Sequence, residues 1–372
     1  MEMRPLWAEI DLSAIKHNVK EARNVVGGNV EIMAVVKANA YGHGADRVAK
    51  AACDAGASCL GVAIPDEGAR LRETGITQPI HVLSEAAAEA APVILKHGLT
   101  ATVYTLKSAQ VLAEEAGHRG TTVKVHVKVD TGMNRVGLLP ERTAEFLREI
   151  NRLKELEVEG IFTHFSEADN PESDYTNYQI RRFKDLLEEL ESQGICPPVK
   201  HAANSAAVYL HPDSHFDMVR IGISLYGLHP SEATKGRIDL KPAFSLKARL
   251  SYVKELAGGE GISYGRTYTT AQATIVGTVP AGYGDGYSRL LSNKAQVLIG
   301  GRRYPAVGNI CMDQFMVDLG AGSTAGADDE VVLIGRQGGE EISADELASI
   351  LGTINYEIVC MINARVPRVY KE

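Results

Sequence analysis

Short apolar runs alternate with helical patterns from the start of the chain to Gly227. Runs at 32–36, 59–63, 79–83, 100–104, 123–129, 160–163, 199–202 and 218–221 have the length and apolar character of strands buried on both faces. Helical patterns separate them, at 45–55, 65–73, 86–97, 106–116, 141–155, 175–193 and 205–210. Strands that alternate with helices in this way predict an α/β fold with a parallel sheet, and eight such units fit a TIM-type (β/α)8 barrel. No Gly-x-Gly-x-x-Gly follows the first run, which weakens the dinucleotide-binding alternative.

Beyond Gly227 the texture changes. A polar, turn-rich stretch at 228–240 leads into strand-like runs at 244–253, 273–279, 295–299, 315–318 and 331–334, punctuated by Gly and Pro, with one late helix at 343–351. The expected division is a barrel domain over 12–235 and a mainly β domain over 236–372. The opening strand, within 1–11, precedes a capping Ser13 and an amphipathic helix, and is able to pair with the second domain.

A chain of 372 residues with 45% hydrophobic content can form two cores. Its formal charge of −8, with no basic block, argues against nucleic acid and anionic membrane as partners. The acidic N-terminus MEMRPLWAEIDL does not read as a signal peptide, and no run is long enough to span a bilayer. Five scattered cysteines without a C-x-x-C pair point to reduced thiols and a cytoplasmic protein. No metal set is expected, since His211 and His215 flank Pro212 and lack a third ligand.

In a barrel of this kind the chemistry lies at the C-terminal ends of the strands. Lys37, Asp130 to Arg135, His164, Asn204–Ser205 and Arg220 to Ile223 all fall there. A lysine at the mouth of a buried strand either snorkels to solvent or has its pKa lowered by desolvation, which makes it the nucleophile of Schiff-base chemistry. Ser205 suits either a helix N-cap or an anion contact, and Arg220 either a salt bridge or a ligand contact. His43, His201, His211 and His215 read as ordinary structural histidines.

The string AVVKANAYGHG at 34–44 closely resembles the pyridoxal phosphate (PLP) attachment motif of the alanine racemases. The resemblance runs from Trp7 and its neighbours AEIDL to the NARVP string that ends at Pro367. It implies interconversion of L- and D-alanine by a two-base mechanism, supplying D-alanine for peptidoglycan, in a homodimer with shared active sites. Lys37 would hold PLP covalently and serve one face of the substrate, and Tyr264 of the second subunit would serve the other. His164 would link Arg220 to Tyr264. Tyr41, Asn204, Ser205, Tyr356 and the backbone N–H groups of Gly222 and Ile223 would bind the cofactor. Arg220 would donate to the pyridine nitrogen and leave the ring uncharged, which favours racemisation over transamination.

Arg135 and the backbone of Met312, the latter from the partner chain, would bind the substrate carboxylate, and Lys128 is a position that many relatives carbamylate. Asn309 stands where many relatives carry an arginine that forms an entry gate with groups near Asp169 and Arg289, and an Asn cannot make that ion pair. The other readings are a racemase of broader, serine-type specificity and a non-catalytic PLP carrier. The carrier would lack the domain bearing Tyr264 and Met312. A basic amino-acid decarboxylase would want an acid at position 220.

Overall fold

The computed structural model describes residues 4–372, and the chain divides into two compact units. Ser13–Ala40 and Gly44–Pro242 form the first. The segment ending at Leu12, the short stretch Tyr41–His43, and Ala243–Glu372 form the second.

After an opening strand β1 (Leu6–Asp11), the first unit contributes β2 (Glu31–Val35), β3 (Cys59–Val62), β4 (Ile80–Val82), β5 (Ala101–Val103), β6 (Val123–Lys128), β7 (Leu156–Phe162), β8 (Val199–His201) and β9 (Met218–Ile221). They pair in parallel in the order β4-β3-β2-β9-β8-β7-β6-β5. A bridge between His81 and Thr100 joins the two ends, with Val82 N donating to Thr100 O and Thr100 N to Ile80 O, each at 2.9 Å. The sheet is therefore closed. Strands β3, β4, β5 and β9 are buried at every position, as expected for strands covered inside and out.

The connecting helices start where local chemistry permits. The helix Pro65–Glu73 opens on a proline whose missing N–H would be unsatisfied anyway, with Asp66 and Glu67 complementing the dipole in its first turn. The helix Leu106–His118 is capped by Thr105, whose hydroxyl accepts from Ser108 N at 3.2 Å.

One boundary differs from expectation. The helix expected over 141–155 is Pro140–Ile150, and β7 begins at Leu156, earlier than the expected 160. Leu-Glu-Val-Glu at 156–159 alternates with a period of two, and pairing with β6 from Val123↔Leu156 onward overrides a helical continuation.

The second unit holds a sheet in the order β11-β14-β17-β16-β15-β18-β10-β1-β20, with β19 paired to β18. Its strands are β10 (Phe244–Arg249), β11 (Tyr252–Leu256), β12 (Gly261–Ile262), β13 (Tyr268–Thr269), β14 (Thr274–Val279), β15 (Gln296–Ile299), β16 (Arg302–Val307), β17 (Phe315–Gly320), β18 (Glu330–Gln337), β19 (Glu340–Ile342) and β20 (Arg368–Lys371). β12 and β13 pair only with each other. The opening strand β1 lies between β10, antiparallel, and β20, parallel.

The single run expected at 244–253 breaks after Arg249, and its halves pair with different partners, β10 with β1 and β18, and β11 with β14. β16 was not anticipated because Arg302, Arg303 and Pro305 obscure it. Pro305 is tolerated because β16 pairs with β17 only from Ala306 onward. A second late helix, Asn355–Met361, follows the expected one, which spans Ala344–Leu351. Among the described residues no helix is long and apolar enough to cross a membrane.

Candidate active site

Lys37 comes two residues after the end of β2, and the backbone beyond it winds left-handed. Ala38, Asn39, Ala40 and Tyr41 have φ of 52°, 54°, 53° and 51°. L-residues adopt this conformation at a cost of about 1–2 kcal/mol each, so the turn needs external support. Ala40 N donates to Val36 O at 2.8 Å, and the Asn39 side chain accepts from Ala45 N at 2.9 Å. Glu67 is the third support. Its Oε1 accepts from Ala38 N at 2.6 Å and its Oε2 from Ala63 N at 2.8 Å. Just before the lysine, Tyr226 Oη donates to Val35 O at 2.8 Å. Glu67 was not singled out in the sequence, where it looks like an ordinary first-turn acid.

Arg220, on β9, is 4% exposed and among the described residues meets no carboxylate directly. Its guanidinium donates to Thr163 O and Ala202 O at 2.8 Å, to His201 Nδ1 at 2.9 Å and to His164 Nδ1 at 3.1 Å. Burial pulls its pKa down to about 9. Guanidinium groups only donate, so His164 and His201 each present an unprotonated Nδ1 to it. His201, read from sequence as structural, is therefore a direct partner of Arg220.

Lys128, the last residue of β6, is 5% exposed, with its ammonium nitrogen 4.6 Å from the centre of the Phe162 ring. Burial lowers its pKa well below the usual lysine range. The Arg220 and Arg135 charges add to the effect, and Asp130 opposes it. The following loop is organised by Asp130, whose Oδ1 accepts from Gly132 N at 2.9 Å and Asn134 N at 3.0 Å. Arg135 sits exposed on that loop. Gln179 links the ends of two strands, donating to Thr131 Oγ1 at 3.3 Å and His164 O at 3.2 Å.

After β8, Asn204 caps the helix Ser205–Leu210 by accepting from Ala207 N at 3.0 Å. Three donors converge on the buried Ser205 hydroxyl oxygen: Gly222 N at 2.8 Å, Ser224 Oγ at 3.0 Å and Ser224 N at 3.3 Å. A hydroxyl has two lone pairs, so this corner carries a surplus of donors, a setting that suits an anion. Ile223 begins the short helical turn that follows Gly222.

The remaining candidates belong to the second unit. Tyr41 and Tyr356 have ring centres 6.2 Å apart, and burial pushes the Tyr41 phenol far above its ordinary value. Tyr264 is 70% exposed and Met312 53%. The loops that carry them are zipped together. Asn309 Nδ2 donates to Tyr264 O at 2.7 Å, and the Ser263 hydroxyl donates to Asn309 O. Gly284 N donates to Met312 O at 2.8 Å. Asn309 thus anchors the backbone of Tyr264.

The barrel histidines carry a consequence for stability. Burial first, then the Arg220 charge or neighbouring cationic groups, drive His81, His164 and His201 well below the ordinary imidazole value, and burial lowers His126 as well. The folded state holds these rings neutral, whereas the unfolded chain protonates them near pH ~6.5. Below that value the unfolded state binds more protons, so stability falls as the pH falls. Each ring contributes about 1.4 kcal/mol per pH unit. Calorimetry should show Tm dropping steadily from about pH 7 to about pH 5.5, and an unchanged Tm would contradict the neutral assignment.

A strand-end lysine, a buried arginine and a donor-rich corner at the strand ends of a closed parallel barrel define an enzyme of the (β/α)8 class. The alanine racemase N-terminal domain family matches residues 10–230, and the alanine racemase C-terminal domain family matches 243–370. The chain belongs to the alanine racemase family. A protein from Symbiobacterium thermophilum named alanine racemase is 49% identical over 99% of this chain and 97% of its own length. One of the same name from Methanococcus maripaludis is 47% identical over the whole of both chains. The solved alanine racemase of Clostridium difficile 630 superposes with a TM-score of 0.95 at 41% identity, covering 100% of this chain and 97% of that one.

Proposed function

We propose that the protein racemises alanine with PLP as its cofactor, as a homodimer whose sites are completed by the neighbouring subunit. The observation that carries the reading is Arg220, a buried guanidinium surrounded by neutral acceptors at the mouth of the barrel. The family match over both domains supports it. On this reading residues 12–235 make most of the cofactor contacts, and 236–372 add Tyr356 and supply groups to the partner's site.

The donor surplus around Ser205 and Gly222 fits a phosphate, and Lys37 fits an aldehyde. PLP bound there supplies an electron sink for the pair left when the α-proton departs. Ser205, Asn204, Tyr41, Tyr356 and the N–H groups of Gly222 and Ile223 would hold the phosphate end. Arg220 would donate a hydrogen bond to the ring nitrogen without surrendering a proton, limiting how far the ring withdraws charge. Arg135 and the partner's Met312 N–H would orient the substrate carboxylate. Lys37 Nζ would exchange a proton with one face of the α-carbon, and the partner's Tyr264 Oη with the other, with His164 positioned by Arg220 to assist the tyrosine. The 70% exposure of Tyr264 supports completion by another subunit, since a proton-transfer group of a dry site needs cover. Burial lowers the Lys128 pKa and so favours the uncharged amine, the form that CO2 carbamylates, and such a carbamate would place an anion beside Arg135.

Purified protein with PLP, offered each enantiomer of alanine, serine, lysine and glutamate and followed by chiral chromatography, tests the proposal. Interconversion of alanine well above serine is expected. Equal rates would favour a broad racemase, and none at all a carrier. Arg220→Glu should raise transamination relative to racemisation by about tenfold or more, because a carboxylate lets the ring nitrogen hold a proton. An unchanged ratio would remove the role given to Arg220.

A further inference from the structure

The interior of a (β/α)8 barrel is ordinarily filled with branched aliphatic side chains. Here it holds three histidines, His81 on β4, His126 on β6 and His201 on β8, all at most 3% exposed. One nitrogen of each lies within 4.8 Å of the others, close enough for a metal ion to bridge. The hydrogen bonds argue otherwise. Both nitrogens of His126 and of His201 are already engaged, and the Arg220 cation sits against His201.

Those bonds run in one direction. Arg220 can only donate, so His201 Nδ1 accepts at 2.9 Å and its proton is on Nε2. His201 Nε2 then donates to His126 Nδ1 at 2.9 Å, which places the His126 proton on its own Nε2. His126 Nε2 donates to Glu159 Oε2 at 3.2 Å. His81 stays outside the line. The Thr102 hydroxyl donates to Val82 O, so it must accept from His81 Nε2 at 2.9 Å.

The backbone is shaped around this arrangement. The β6–β7 register slips at Val125/His126, which pair with Val158 and Gly160, so Glu159 is the extra residue of a β-bulge. Bulges redirect side chains. Gly160 completes the accommodation, because a Cβ there would lie 2.5 Å from His126 Nδ1. Glu159 is pulled down to about pKa 2, chiefly by its bond from His126, and Lys124 donates to its other oxygen.

We propose that Glu159 is the remote counter-ion of Arg220, joined to it through His126 and His201, two imidazoles of fixed tautomer. Glu159 touches neither substrate nor cofactor and is a positioning residue. Its negative charge polarises the two rings in turn, makes His201 Nδ1 a stronger acceptor, and tempers the guanidinium that faces the ring nitrogen. That last consequence rests on the proposed PLP reading. The hydrogen-bond line does not.

The test has two arms. In histidine-15N-labelled protein, with and without PLP, NMR should find His126 and His201 neutral and protonated on Nε2, assigned from the peaks lost in His126→Gln and His201→Gln. Glu159→Leu removes the acceptor of the His126 Nε2 proton, which should lose its downfield, hydrogen-bonded shift, while both tautomers, held from the Arg220 end, persist. Glu159→Gln keeps an acceptor but removes the charge, so both tautomers should persist while kcat falls about tenfold and KM for alanine stays unchanged. Nδ1 protonation of either ring in the wild type, or an unmoved His126 Nε2 proton in Glu159→Leu, would overturn the line. Wild-type kcat in Glu159→Gln would overturn the counter-ion role. A wild-type protein that racemises nothing would sink the PLP reading and leave the tautomer arm to decide this one.

Discussion

Replacing Lys37 by alanine is expected to give a folded, colourless protein that racemises alanine in neither direction. Lys37 precedes the left-handed turn and is absent from the residues with positive φ, so alanine is not strained there. The supports from Glu67 and Asn39 use atoms other than the lysine side chain. Tm should therefore stay close to that of the wild type while activity falls by about 10⁴-fold or more, since in the proposed mechanism one group supplies both the covalent anchor and one of the two bases. Absorbance after PLP addition and chiral chromatography from each enantiomer check the two parts separately. Near-normal turnover in this variant would sink the cofactor assignment.

The second large effect belongs to Tyr264 and tests the dimer with it. Tyr264→Phe should stay yellow yet lose racemisation by about 10²–10⁴-fold. The lesion should be one-sided, with loss of the L-alanine α-proton suffering and exchange of the D-alanine α-proton through Lys37 surviving in part. Mixing this variant with Lys37→Ala under conditions that exchange subunits gives the sharper outcome. If each site takes Lys37 from one chain and Tyr264 from the other, one site of a heterodimer carries both lesions and the other carries neither. Two inactive parents should then yield an active mixture. Heterodimers that form and stay inactive would place both residues of a site on one chain.

Much of the barrel was legible because strands covered on both faces leave continuous apolar runs, as at Leu60 or Val219. The strand-end residues followed from that, since parallel strands deliver their C-termini to one rim. What escaped was polar and interior. His126 and Lys128 stand two apart on β6, the spacing that places them on one face. A histidine within an apolar run carries no mark of its partners, so neither the Glu159 bond of His126 nor the Arg220 contact of His201 shows in the sequence. The left-handed turn left little trace, because Ala38 and Ala40 favour right-handed helices and only Asn39 tolerates the conformation readily. Pro305 concealed β16, since what spares it is the register in which β17 begins to pair, at Ala306, and a sequence does not display register.

The turn after Lys37 also bears on how the protein would respond to selection for heat resistance. Substitutions that relax Ala38, Asn39 or Ala40 toward ordinary dihedral angles recover backbone energy and would be among the easier gains to find. The same relaxation would turn the segment that begins at Lys37 away from the rim where His164 and Arg220 lie. Variants chosen only for survival on heating should accumulate changes in this stretch and around Glu67 at the expense of turnover. Screens that score activity alongside survival should leave it untouched and find their improvements on the outer helices.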